Sequence, residues 1–304
     1  MQTEIVTHSS SFTIGSKLRD YMQLVKFSLS FMVAFSAVVC YLLAPGISFD
    51  WGRIMLLFAG GLLVTGSANT VNQVVEKDSD AKMMRTAKRP VASGRMSGTE
   101  AWLFAIVALA LGLFILGFYF NLTSAIISLV SWFMYAYMYT PMKKVSSFSV
   151  LFGAIPGALP CLIGWTAGFL PEESIDWSGG WALFAIQFFW QFPHFWAIAW
   201  IAHKDYSKAG FKMLPSEEGQ TKYSAVQAII YSLLLIPAGV VPYLIDMSGV
   251  VSLWIVLVAN MFMIWQCVRL YREMTTQAAR RVMFSSYIYL PVVLLGLLLD
   301  KVVS

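Results

Sequence analysis

The chain has 304 residues, of which 58% are hydrophobic and only 12% charged, and its mean hydropathy is +0.69. That balance excludes an ordinary soluble domain, and apolar stretches of membrane-spanning length recur throughout. The formal net charge of +5 does not point to a nucleic acid, because the basic residues are scattered among short loops instead of forming one patch.

The first segment, Met1 to Asp20, has no apolar core and includes Glu4. It reads as neither a cleavable signal nor a transit peptide, and residues 1–22 are expected to stay in the cytosol. Nine apolar segments follow, near 24–44, 53–75, 100–119, 122–141, 148–169, 181–202, 223–245, 249–268 and 282–299. Each approaches the roughly 20 residues that cross a bilayer as a helix. In lipid only helices and closed barrels satisfy the backbone, so the expectation is an all-α, nine-helix membrane protein forming one domain over 1–304. With the N-terminus inside, all but Arg53 and Lys301 of the 21 lysines and arginines fall on the inner side. Asp50, Glu172, Glu173, Asp176, Asp246 and Asp300 fall outside. That asymmetry predicts a cytoplasmic N-terminus and a C-terminus on the far side.

The second segment ends in the most informative stretch, Asn72-x3-Glu76-x3-Asp80, followed by Arg85 and Arg89. If the helix continues, positions i, i+4 and i+8 share a face, drifting about 40° per step. Hard oxygen ligands suit Mg²⁺, which shares its shell with substrate phosphates. The two arginines add forked donors for phosphate oxygens. The competing reading is a solvated loop whose charges set topology.

Tyr139, Lys143 and Lys144 end the fourth segment on the same face; Lys143 reads either as a diphosphate contact or as a lysine that only sets topology. Trp132, Phe133, Tyr135 and Tyr137 read as interfacial or packing aromatics. The fifth segment carries Gly153, Gly157, Gly164 and Gly168 with Pro156 and Pro160. Small residues at that spacing predict close helix packing, with cavity lining as the second reading. In the sixth, Trp190-Gln191-Phe192-Pro193-His194-Phe195-Trp196 places a histidine roughly 15 Å from the inner end. An ionisable group at that depth is a functional candidate; the bland alternative is a neutral ring bonded to a carbonyl. Gln191, three residues earlier, shares its face, and Pro193 is expected to kink the helix. His8 and His203 read as surface residues, and Cys40, Cys161 and Cys267 as buried small hydrophobes. The long inner loops, 76–98 and 203–222, lie four helices apart, so pseudo-symmetric halves would bring them together.

Taken with Tyr139-Thr140 and Asp205-Tyr206-x2-Ala209-Gly210-x2-Met213-Leu214-Pro215, these motifs resemble the protohaem IX farnesyltransferase branch of the UbiA-type intramembrane prenyltransferase superfamily. The resemblance runs over nearly the whole chain. It implies a UbiA-type helix bundle in the bacterial plasma membrane that joins a farnesyl group from farnesyl diphosphate to a vinyl group of haem b, with hydroxyl addition, releasing pyrophosphate. It implies Mg²⁺ on Asn72, Glu76 and Asp80, with Asp205 at a possible second metal position, and diphosphate contacts from Lys82, Arg85, Arg89, Lys143 and Lys204. It places haem b, a substrate here, near His194, Gln191 and Trp190. A haem A synthase or an oxidase assembly factor is implied as partner. Glu76 stands where most of the superfamily has Asp, and Asp205 is a single carboxylate where others have a second acidic motif. Rival readings are a prenyltransferase for a quinone precursor, a small-molecule transporter, and a haem chaperone with an inert metal motif.

Overall fold

The computed structural model describes residues 14–302, which leaves His8 and most of the N-terminal segment outside them. Twelve helices make up the described chain: α1 (Ile14–Leu24), α2 (Phe27–Leu43), α3 (Trp51–Val75), α4 (Lys77–Asp80), α5 (Gly98–Tyr119) and α6 (Leu122–Met142). They continue with α7 (Ser149–Ala167), α8 (Ser178–Ile201), α9 (His203–Lys208), α10 (Lys222–Leu244), α11 (Val250–Glu273) and α12 (Thr276–Leu299). No strand occurs among the described residues; Ser248 and Lys301 form one isolated antiparallel bridge.

Side-chain caps fix several helix starts. Asp50 accepts from the backbone N–H of Gly52 and Arg53, Ser97 from Glu100, Asn121 from Ser124, Thr221 from Ser224 and Thr275 from Ala278. Each satisfies an amide that the first turn leaves without a partner.

All nine expected segments are helical, but the count of spans differs from expectation. By length and hydropathy seven helices qualify, or eight if the bent pair α1–α2 is one span. The 24-residue helix α8 is long enough. It is absent from those seven because Gln187, Gln191, His194 and several tryptophans dilute its hydropathy. The polar residues that lower its hydropathy are the ones that line the chamber. The first segment also departs from expectation: it begins as α1, and the chain turns 55° before α2. Ile14, Leu18 and Met22 are exposed along α1 while Asp20 and Leu24 are buried, the pattern of a helix lying at a membrane surface.

The bundle is built around α7, which packs against α2, α6 and α8. Its most apolar window is 78% buried, against 28% for α5 and 22% for α6. Those peripheral helices expose Leu103, Ile106, Phe114, Phe118 and Ile126. A water-soluble monomer does not carry so large an apolar skin, and lipid accounts for it. Close approach at the centre needs glycine. A Cβ on Gly164 would collide with the Ala37 carbonyl of α2, and one on Gly157 with the Gln191 amide of α8. Pro160 has no N–H to offer the Pro156 carbonyl, and Ser131 Oγ of α6 donates to it at 3.1 Å.

The two long loops do meet. Arg85 donates to the Tyr206 hydroxyl at 3.2 Å, and Met83 joins Phe211, Met213 and Leu214 in one apolar cluster, while the Lys212 amide ties the second loop to the end of α6 by donating to the Lys143 carbonyl at 2.7 Å.

Candidate active site

Helix α3 does not run straight through the acidic motif. Glu76 takes φ −90° and ψ 8°, which ends α3 and starts the single turn of α4. The i to i+4 bonding survives the break, with the Glu76 amide on the Asn72 carbonyl at 2.9 Å and the Asp80 amide on the Glu76 carbonyl at 2.7 Å. The expected face therefore persists. Asn72, Glu76 and Asp80 are buried, while Val75, Lys77 and Asp78 are exposed.

Each of the three side chains meets one cation. Lys26 Nζ donates to Asn72 Oδ1 at 2.8 Å, Lys143 Nζ to Glu76 Oε1 at 2.8 Å, and Arg89 to Asp80 Oδ2 at 2.7 Å. Burial by itself would raise the Glu76 carboxyl, but the Lys143 ammonium outweighs it and holds the group below the ordinary carboxylate range. Burial would likewise lower Lys143, and the Glu76 charge reverses that, so both stay charged. The other Asp80 oxygen, Oδ1, is buried with no hydrogen-bond partner. An orphan carboxylate oxygen beside two further oxygen acceptors is a donor set that suits a hard cation. Among the described residues no group of three His, Cys, Asp or Glu side chains is clustered tightly enough to hold a metal. Asn72 is thus needed to complete a triad.

Lys26 was legible only as a topology charge. It occupies the left-handed region, φ 48°, at the sharp turn between α1 and α2, a conformation that costs a non-glycine residue energy and clusters at functional sites. Thr140 was likewise seen only as part of a motif, and it accepts from Asn72 Nδ2 at 3.2 Å. A wide helical turn over Met134–Tyr139 shifts the phase of α6 and brings Thr140 and Lys143 to α3.

The same turn aims Tyr135 and Tyr139 into a chamber of about 180 Å³ between α2, α3, α6, α7, α8 and α12. Its lining runs from Asn69, Tyr135 and Tyr139 past Gly153 and Gly157 to Gln191 and His194. Trp132 lines it too, so two of the four aromatics read as packing residues belong to the cavity, while Phe133 and Tyr137 are exposed. Leu29 and Met32 contribute to the wall and are also exposed on α2, so the chamber reaches the lipid side there. Gly153 and Gly157 serve packing and lining together.

At the far end His194 is buried, with Nδ1 2.7 Å from Ser286 Oγ of α12. Trp190 stacks on it at 4.9 Å and donates its indole N–H to the Ser286 carbonyl at 2.8 Å. Gln191 donates to the Ala154 carbonyl at 2.9 Å and to its own helix at Gln187. The helix α8 continues through Pro193.

The remaining expected residues lie at the rim. Arg85 is exposed on the Tyr206 ring, Lys82 and Lys204 are exposed, and Asp205 is half-buried with no side-chain partner among the described residues. His203 is half-buried against Gly219, and the three cysteines are buried and free.

Residues 33–289 match the model of the UbiA prenyltransferase family. The chain is 42% identical over 289 residues to the protoheme IX farnesyltransferase of Cytophaga hutchinsonii, covering 95% of this chain and 100% of that one. It is 39% identical to the protoheme IX farnesyltransferase of Flavobacterium johnsoniae, covering 96% and 97%. Among solved structures, a digeranylgeranylglyceryl phosphate synthase shares the fold with a TM-score of 0.73 at 18% identity, covering 94% of this chain and 98% of that one. A UbiA homologue from Archaeoglobus fulgidus, bound to GPP and Mg²⁺, does so with a TM-score of 0.58 at 17% identity, covering 91% and 99%. This chain, a multi-pass integral membrane protein with a histidine at one end of its chamber and an acidic cluster beyond the Tyr139 wall at the other, belongs to the UbiA prenyltransferase family.

Proposed function

We propose that the chain transfers the farnesyl group of farnesyl diphosphate to a vinyl group of haem b, with hydroxyl addition, giving haem O and pyrophosphate. The observation that carries the reading is a chamber lined by His194 and Trp190 at one end and by Tyr139 at the other, where Lys143 Nζ lies 4.5 Å over the Tyr139 ring and donates to Glu76. Full-length relatives named for that reaction support it.

Asn72, Glu76 and Asp80 would hold Mg²⁺, with Asp205 a candidate for a second ion. Mg²⁺ in that position would supply charge stabilisation for the departing diphosphate. Lys26, Lys143 and Arg89, now on the three acceptors, are placed to transfer to diphosphate oxygens, and Arg85, Lys82 and Lys204 extend the basic rim. Charge that develops on the leaving group would then meet preorganised donors. The allylic cation forms in the apolar chamber, away from water. The vinyl π electrons form the new carbon–carbon bond, water adds to the resulting porphyrin-side cation, and its proton leaves to solvent. No serine, cysteine or lysine nucleophile is needed. The metal-binding cluster would face the cytoplasm of a bacterial inner membrane, with haem b and the farnesyl chain entering from lipid along α2. A haem A synthase or oxidase assembly factor would take the product.

The experiment is reconstitution of purified protein with haem b, farnesyl diphosphate and Mg²⁺. Pyrophosphate release and a more hydrophobic haem are expected, and EDTA should stop both. Undiminished product in metal-free buffer would remove the metal–diphosphate reading. Prenylation of an aromatic quinone precursor with no reaction on haem would favour the rival acceptor.

A further inference from the structure

Ser286 sits on α12 with no signal in the sequence, yet both of its oxygens hold the histidine end of the chamber. Its Oγ lies 2.6 Å from the Met283 carbonyl oxygen and 2.7 Å from His194 Nδ1. A serine hydroxyl has one proton to give. At 2.6 Å an unprotonated oxygen pair would set two lone pairs against each other, so that proton points to Met283. The His194 contact then requires the proton on Nδ1. A neutral imidazole protonated there keeps its lone pair on Nε2, which makes no hydrogen bond among the described residues, and His194 lines the chamber. The Ser286 carbonyl meanwhile accepts the Trp190 indole N–H, and Trp190 stacks on the imidazole at an interplanar angle of 17°. Tyr287 meets the same ring edge-on at 5.2 Å. One residue thereby fixes the tautomer, the ring plane and the neighbouring indole.

Metal-ligating histidines share this arrangement, donating the remaining ring N–H to an oxygen that sets the tautomer and raises the basicity of the other nitrogen. We propose that Ser286 is a positioning residue that holds His194 as the Nδ1–H tautomer, so that Nε2 ligates the iron of a haem acceptor bound in the chamber. This rests on the haem reading above. The iron takes no part in the carbon chemistry; ligation would fix the distance and rotation of the porphyrin so that a vinyl group meets the allylic cation.

The test is a titration of the detergent-purified full chain with ferric haem b, read by optical absorption and electron paramagnetic resonance. Farnesyl diphosphate affinity in Mg²⁺ is measured in parallel. The wild type should show a nitrogen-ligated haem that His194→Ala loses and that added imidazole restores in His194→Gly. Ser286→Ala should bind haem about 10–100-fold more weakly, with farnesyl diphosphate affinity unchanged in every variant. Wild-type haem affinity and spectrum in Ser286→Ala would overturn the positioning role, as would parallel loss of farnesyl diphosphate binding, which marks a purely structural serine. An unchanged spectrum in His194→Ala would overturn ligation while leaving haem as the acceptor. A wild type that binds no haem would overturn the haem reading itself.

Discussion

At the residue scale, the acidic motif is a set of buried acceptors neutralised by the protein's own cations. Removing one member of such a pair strands the other. Lys143→Ala should leave Glu76 buried without its counter-charge and destabilise the protein by about 3–5 kcal/mol, read as a lowered Tm in detergent. An unchanged Tm would show that water already reaches Glu76. Glu76→Ala and Asp80→Ala should each lower turnover by about 100-fold or more, the scale of losing one preorganised transition-state contact. Asp78→Ala should be close to wild type, because Asp78 is exposed on the opposite side of the turn. Equal damage from Asp78→Ala would contradict the buried face. Much of this was legible: spacing alone put Asn72, Glu76 and Asp80 on one face. Lys26 and Ser286 were not legible. A lysine after an amphipathic stretch looks like any topology charge, and a serine in an apolar helix looks like helix packing. Only tertiary contact, 46 residues away for Lys26 and 92 for Ser286, gives them partners.

At the scale of single helices, the packing of α7 on α2 fixes the chamber wall. Gly164→Ala would push a methyl into the Ala37 backbone, which cannot rotate away, and should cost about 1–3 kcal/mol. Gly117→Ala is the control, since its Cβ would sit 3.5 Å from Ala125 Cβ in ordinary contact and should gain helix propensity. Similar melting temperatures for the two variants would contradict the close approach. Helix α1 is held more lightly. Lys17 and Tyr21 donate to Glu100 at the start of α5. Protonating the Glu100 carboxylate removes the charge that both donors meet, so attachment of α1 should loosen in acid. Hydrogen exchange over 14–24 should quicken by no more than about fivefold in Glu100→Gln at pH 7, as for an exposed pair. Exchange unchanged at both neutral and acid pH would remove the latch. The helices themselves were readable from apolar run length. The bend before α2 and the wide turn in α6 were not, because each depends on what the neighbouring helix must reach.

At the scale of the whole molecule, the charge asymmetry and the contact between the two long loops support the proposal that the diphosphate chemistry sits at one membrane face. Single cysteines test the orientation, because the native thiols are buried. An impermeant thiol reagent added outside intact cells should label Glu172→Cys and spare Glu217→Cys; the reverse would invert the topology. Hydropathy and length alone pick out seven or eight of the nine expected spans, since α8 trades hydropathy for the polar and aromatic side chains that line the chamber. The central claim is that this bundle joins a prenyl diphosphate end to a haem end. The most direct measurement is pigment extraction from membranes carrying the wild type or Asp80→Ala, with the haems separated by hydrophobicity. The expected result is haem O with the wild type and haem B alone with Asp80→Ala. Haem B alone from wild-type membranes supplied with farnesyl diphosphate and Mg²⁺ would contradict it.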